Sequence, residues 1–153
     1  MAEVPISIRA QRLLRLAHEE ADQVQPLRVS SVHLLLGALS CGGYIKRALC
    51  SRSSFSINEL RSRISEMGST SEDAKGGYTQ SSRNILRAAA RISRTLGHKD
   101  IDAEHIVLAL LAERRGRAAR ALKRFAFNKK NAKTQIQRRI RIRRGRLPPS
   151  AHL

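Results

Sequence analysis

Val32-His33-Leu34-Leu35-Leu36-Gly37-Ala38-Leu39 recurs in kind as Glu104-His105-Ile106-Val107-Leu108-Ala109-Leu110-Leu111, seventy-two positions later. Each copy is a nearly uniform apolar run led by a histidine. Each follows an amphipathic segment and precedes a glycine turn and a further short helix. A run that is apolar on every side belongs to an element buried from all directions. Two such runs predict two copies of one small helical unit, packed back to back.

The segments around the runs repeat as well. Ala10, Leu13, Leu14, Ala17, Ala21 and Val24 trace one face of a helix that Ser7 caps and Pro26 stops. Ser30 or Ser31 caps the Leu34–Leu39 run, Gly42-Gly43 breaks it, and Tyr44 to Cys50 reads as a third helix. Ser56-Ile57-Asn58-Glu59 is a capping box: the serine hydroxyl accepts from the amide three residues on, and the glutamate reaches back. Ile57, Leu60, Ile64 and Met67 follow at helical spacing. The stretch 68–77 is small and polar, with glycine at both ends, and reads as a linker. The pattern then restarts. Thr79 caps a helix bearing Ile85, Ala89, Ile92 and Leu96, and Gly97 ends it. Asp102 caps the second apolar run, and Gly116 turns into a helix over Ala118 to Phe125. Asn128 caps a last helix with Ala132, Ile136 and Ile140 at spacing of four.

Sliding one half over the other pairs Ser7 with Thr79, Leu14 with Leu86, Val29 with Ile101, His33 with His105, and Leu36 with Leu108. The expected architecture is therefore all-α, with two pseudo-twofold repeats of about four helices each. The first repeat spans 1–67, the linker 68–77, the second repeat 78–140, and a basic, disordered tail 141–153.

Bulk composition narrows the function classes. The 153 residues bury roughly 70% of the surface the unfolded chain exposes, enough for a core without metals or disulfides. Aromatics are 3% of residues, so Leu, Ile, Val and Ala must fill that core. No apolar run approaches the roughly 20 residues of a membrane span. Met1-Ala2-Glu3-Val4-Pro5 lacks the basic-then-apolar order of a secretory signal, so a cytoplasmic location and reduced Cys41 and Cys50 are expected. No His-Glu-x-x-His, paired Cys-x-x-Cys or nucleophile elbow occurs; no metal, cofactor or catalytic activity is expected. His33 and His105 read as rings that satisfy backbone groups at helix starts, and His18 and His98 as solvent-facing.

Charge is concentrated at one end. The formal charge is +18, yet the last acidic residue is Glu113, and the forty residues after it hold fifteen of the thirty Lys and Arg. Arg138, Arg139, Arg141, Arg143, Arg144 and Arg146 repel one another and favour a nearby anion. If all six met phosphates on duplex DNA, the salt slope would be about −5. Without interleaved aromatics such contact would be electrostatic and poorly sequence-specific. An acidic protein surface would serve equally well.

The paired repeats resemble the Clp N-terminal repeat domain, found at the front of ClpC- and ClpA-type unfoldases. Ala103-Glu104-His105-Ile106-Val107-Leu108 is similar to that family's Thr-Glu-His motif, Ser31-Val32-His33-Leu34-Leu35-Leu36 less so. Tyr78-Thr79 fits its aromatic-Thr helix start, with Ile6-Ser7 as a variant. The resemblance runs from about Ile6 to Ile140. It implies a non-catalytic docking module that receives adaptor proteins or unfolded substrates for a Clp ATPase and Clp protease. In some members phosphorylated arginine binds, its phosphate at the capping threonine and helix start, its guanidinium on the motif glutamate. Carried over, these roles fall on Tyr78, Thr79 and Glu104 in the second repeat and on Ser7 in the first. There Val32 stands in place of the carboxylate, so at most one of two sites survives. No Gly-x-x-x-x-Gly-Lys-Ser/Thr occurs, so the likeness is to stand-alone forms of the domain. The alternative is a nucleic-acid-associated structural protein anchored by the arginine-rich tail.

Overall fold

The computed structural model describes residues 4–23, 28–50, 56–67, 77–125 and 127–146, with side chains through Arg143. Among them are eight helices: α1 (Ile8–Asp22), α2 (Ser31–Ser40), α3 (Gly43–Leu49), α4 (Ile57–Glu66), α5 (Gln80–Thr95), α6 (Ala103–Ala112), α7 (Arg117–Arg124) and α8 (Lys129–Arg146). No strand occurs among the described residues, so the chain is all-α. Val24, Pro26, positions 68–76 of the expected linker and 147–153 of the expected tail lie outside the described residues.

The two apolar runs are the central helices. In α2 every residue from Ser31 to Leu39 except His33 is buried, and in α6 every residue from Ala103 to Leu111 is. α2 packs against α1, α3, α4, α5, α6 and α7; α6 packs against α1, α2, α5, α7 and α8. Each buried Leu or Ile contributes about 1.5–3 kcal/mol, so these two helices form the centre on which the outer helices pack. Gly37 lets α1 and α2 close in. A Cβ there would stand 2.7 Å from the Leu13 carbonyl oxygen and 2.9 Å from the Ala17 nitrogen.

The outer helices bury the faces their periodicity marks. α1 buries Ala10, Leu13, Ala17 and Ala21, and α8 buries Ala132, Ile136 and Ile140. Two faces include polar residues the apolar pattern passes over. α5 buries Ser82 and Ser93 in register with Ile85 and Ala89, while Ile92 and Leu96 are half-buried. α1 buries Glu20, which the Arg61 guanidinium holds through Nε to Oε2 at 2.8 Å and Nη2 to Oε1 at 2.5 Å.

The caps follow the sequence closely. The Ser56–Glu59 box closes α4 with both hydrogen bonds at 3.1 Å. The histidines act as the third-position partner of a capping box: the Ser30 amide donates to His33 Nδ1 at 3.0 Å and the Asp102 amide to His105 Nδ1 at 2.8 Å. Because Nδ1 accepts, Nε2 of His105 carries the proton and donates to His98 Nδ1 at 2.8 Å. His98 is thus half-buried and engaged rather than solvent-facing, whereas His18 is exposed as expected.

The last helix differs from expectation. α8 does not stop at Ile140 but continues to Arg146. Arginine and isoleucine tolerate helix well, and the charge that should fray this end is partly neutralised by carboxylates from a distant helix, described below.

Two short parallel bridges tie the repeats together: Ile6 with Ile101, and Val29 with Tyr78. The seventy-two-residue shift turns Ile6 into Tyr78 and Val29 into Ile101, so each bridge maps onto the other with its partners exchanged. The start of each repeat's first helix thereby lies beside the start of the other repeat's buried helix.

Candidate functional site

Backbone pairing builds a junction at each bridge. At the first, the Ser7 amide donates to the Ile101 carbonyl at 3.0 Å and the Ile101 amide to the Pro5 carbonyl at 2.8 Å. This sets the N-terminus of α1 against that of α6. Ser7 Oγ accepts from the Ala10 amide at 3.1 Å and donates to Asp102 Oδ1 at 2.9 Å, while Oδ1 also accepts from the Ala103 amide at 2.8 Å. One hydroxyl–carboxylate hydrogen bond therefore joins the caps of two helices. The partial positive charge at both helix starts favours an anion there, and Asp102 supplies it.

Glu104 is the second residue of α6 and is 2% exposed. A carboxylate this buried requires a counter-charge. Arg9 Nη2 approaches Glu104 Oε1 at 2.9 Å, and Arg9 Nη1 approaches Asp102 Oδ2 at 3.4 Å. From the far end of the chain, Arg143 Nη1 reaches Asp102 Oδ2 at 3.1 Å and Glu104 Oε1 at 3.3 Å. Two guanidinium groups thus balance two carboxylates. Glu104 Oε2 is shut off from solvent and accepts no hydrogen bond. Burial works to raise the Asp102 pKa, but the Ala103 amide, the Ser7 hydroxyl and the two guanidinium groups outweigh it and hold the carboxyl below its usual range.

The second junction has the same backbone and none of the charge. The Val29 amide donates to Gly77 and the Thr79 amide to the Val29 carbonyl, at 2.9 and 3.1 Å. Thr79 is 6% exposed; its Oγ1 accepts from the Ser82 amide and donates to Ser82 Oγ, both at 3.2 Å, and Ser82 Oγ donates to the Val29 carbonyl at 2.7 Å. Val32, the counterpart of Glu104, is fully buried. Tyr78 is half-buried, and its hydroxyl lies 3.0 Å from His18 Nε2.

The geometry rearranges the residues singled out from the sequence. Thr79 and Glu104 do not share a site, although they sit in one repeat. Glu104 meets Arg9, two residues after Ser7 in the other repeat, and Thr79 meets Val29. Spacing within a repeat could not reveal this, because the exchange arises only when the repeats pack across the bridges. Asp102 and Arg9 were also missed as site residues; the shift that pairs Ser7 with Thr79 and Val29 with Ile101 holds the signal only once the bridges are known.

The arginines of the last helix divide. Arg138 and Arg141 are exposed, Arg139 lies with its guanidinium carbon 5.2 Å from the centre of the Tyr44 ring, and Arg143 is committed to Asp102 and Glu104. Arg144 and Arg146 belong to α8, their side chains outside the described residues. A cavity of about 500 Å³ opens between α5, α6 and α8, floored by Ile92, Leu96, Leu108 and Ile140 and edged by Lys133 and Arg141. Cys41 and Cys50 are free, and burial pushes both thiols up, away from the reactive thiolate.

Residues 77–149 match the family model described as the Clp repeat (R) N-terminal domain. The negative regulator of genetic competence ClpC/MecB of Bacillus subtilis is 30% identical over 135 residues, covering 84% of this chain and 16% of that protein. The chloroplastic chaperone protein ClpC1 of Arabidopsis thaliana is 27% identical over 135 residues, covering 86% of this chain and 14% of the relative. The chain therefore spans about one sixth of the length of these relatives. Among solved structures, the N-terminal domain of the caseinolytic-protease-associated chaperone ClpD from Arabidopsis thaliana superimposes with a TM-score of 0.74 at 23% identity, covering 92% of this chain and 97% of that one. The Hsp104 N-terminal domain from Candida albicans does so with a TM-score of 0.67 at 20% identity, covering 91% of each. With its second repeat matched by the family model, most of its length aligned to these chaperones and its helices in the same arrangement, the chain is homologous to the Clp N-terminal repeat domain.

Proposed function

We propose that this chain is a non-catalytic docking module of a Clp chaperone–protease system, acting in the cytoplasm. It presents adaptor proteins or unfolded substrates to a Clp ATPase and its protease. The Ser7–Asp102–Glu104 junction is the docking point, and a guanidinium group of the guest is what it holds. The observation that carries this reading is Glu104 itself: a carboxylate 2% exposed, at a helix start, already chelated by arginines. A carboxylate pairs with a guanidinium through two parallel hydrogen bonds, which gives both strength and orientation. Leu108 lies one helical turn from Glu104, so the adjoining groove offers apolar surface to the residues that flank a bound arginine. The Tyr78–Thr79 junction, with Val32 in place of a carboxylate, serves as a neutral contact at most.

Binding of fluorescein-labelled, carboxymethylated α-lactalbumin, a permanently unfolded protein, tests this by anisotropy. Wild-type protein should bind it, and Glu104→Gln should weaken binding about fivefold or more, the loss of one charge-assisted contact. Equal affinity in both would remove Glu104 from the docking point; no binding by either would remove the substrate-docking role.

The exposed Arg138 and Arg141 leave room for the nucleic-acid reading, but Arg139 and Arg143 are engaged within the fold. That alternative requires duplex binding that collapses between about 50 and 200 mM salt and vanishes in an Arg138→Ala/Arg141→Ala variant.

A further inference from the structure

We propose that Arg143 is an internal ligand of the Ser7–Asp102–Glu104 pocket: it occupies the place of a guest arginine, and release of the end of α8 opens the pocket. The inference rests on the docking reading above and adds its regulation and the character of its guest.

The two arginines in the pocket are held differently. Arg9 stands two positions from Ser7 in the first turn of α1, a helix whose start is fixed by the Ile6–Ile101 bridge. Its two terminal nitrogens address the two carboxylates separately. Arg9 is a wall of the site. Arg143 comes from α8 beyond Ile140, the last buried residue described in that helix; positions 141 to 143 are all exposed. It spans both carboxylates with the single nitrogen Nη1, at 3.1 and 3.3 Å, short of the forked geometry a guanidinium prefers. Its side chain is 43% exposed, so solvent screens the contact. A stretch of helix whose side chains are exposed, as at 141 to 143, opens at little cost.

The pocket has capacity to spare. Glu104 Oε2 remains without a donor while Oε1 takes both arginines. A guest guanidinium that replaced Arg143 could use both oxygens.

The surroundings indicate which guest. The large hydrophobic side chains exposed among the described residues are Ile6 at 41%, Ile8 at 84% and Ile142 at 40%. Ile6 and Ile8 flank Ser7, and Ile142 precedes Arg143. Exposed isoleucines thus adjoin, along the chain, the residues of the Asp102–Glu104 pocket, which suits an arginine with apolar neighbours in an extended segment better than a solvated, polar one.

A short fluorescein-labelled peptide with one arginine between leucines, and the same peptide with citrulline in place of arginine, are titrated against the full chain. Citrulline keeps the shape and removes the charge. Arg143→Ala should bind the arginine peptide about three- to tenfold more tightly than wild type, because the competing closed state is lost. The citrulline peptide should bind weakly to both, and Arg143→Lys should fall between. If Arg143→Ala matches wild type or binds more weakly while Glu104→Gln loses affinity, the pocket docks arginine but Arg143 does not guard it, and this inference fails alone. If no variant prefers arginine to citrulline, the docking point itself is misassigned and both readings fall.

Discussion

His33 accepts the Ser30 amide on Nδ1, so a proton on that nitrogen would set donor against donor. Burial, with Arg117 adding to it, lowers its pKa from 6.5 to about 4, although Glu20 and the Arg28 carbonyl pull the other way. His105 is lowered as well, by burial first and by neighbouring His98. In the unfolded chain both rings take up a proton near pH 6.5, whereas the folded chain refuses it. Below that pH the unfolded state binds more protons, so stability is complete above about 6.5 and falls as pH drops toward 4. For His33 the loss reaches at most about 3 kcal/mol. Urea unfolding at pH 7.5 and 5.0 should show a lower midpoint in acid, and His33→Gln should shrink the difference. The histidines' capping role was legible beforehand, because a histidine that leads an apolar run at a helix start has one nearby backbone group to serve. The charges around Glu104 were not, since their partners lie 95 and 39 residues away and no local pattern joins them.

Helix contacts make two further predictions. Gly37→Ala places a Cβ against the Leu13 carbonyl and the Ala17 nitrogen, neither of which moves without shifting α1. It should cost about 3 kcal/mol, read as a drop in thermal midpoint by circular dichroism. Arg61→Ala leaves the buried Glu20 carboxylate without its fork and should cost about 2 kcal/mol, less than a fully buried pair because Arg61 is 34% exposed. Glu20→Gln should cost less than Arg61→Ala, since the charge it leaves unpaired is the part-exposed Arg61 guanidinium rather than a buried carboxylate. The boundaries of α2, α4, α5 and α6 could be read from caps and breaks because serine, aspartate, threonine and glycine act locally. The end of α8 could not. Beyond Ile140 it carries Arg143 to Asp102 and Glu104, a tertiary contact made by a segment whose own charges oppose helix.

Across the whole molecule, the contacts between the two repeats predict one cooperative body. α2 and α6 touch at the centre, and each repeat's first helix is anchored on the other repeat's lead-in segment. Residues 1–67 or 78–146 expressed alone should lack a cooperative thermal transition, whereas the intact chain should melt in a single step. The duplication and its all-α character were visible in the spacing of apolar runs, caps and glycines. The exchange of partners between repeats was not, because a sequence repeat is blind to whether its copies pack side by side or crosswise. That exchange is also what defines the candidate site, since it brings Ser7 rather than Thr79 to Glu104. Amide chemical shifts of the 15N-labelled chain, followed while the arginine–leucine peptide is added, test it most directly. The account predicts shifts at Ser7, Asp102, Ala103, Glu104 and Arg143, with Val29, Ser30 and Thr79 undisturbed. Shifts centred on Thr79 and Val29, or none at either junction, would contradict it.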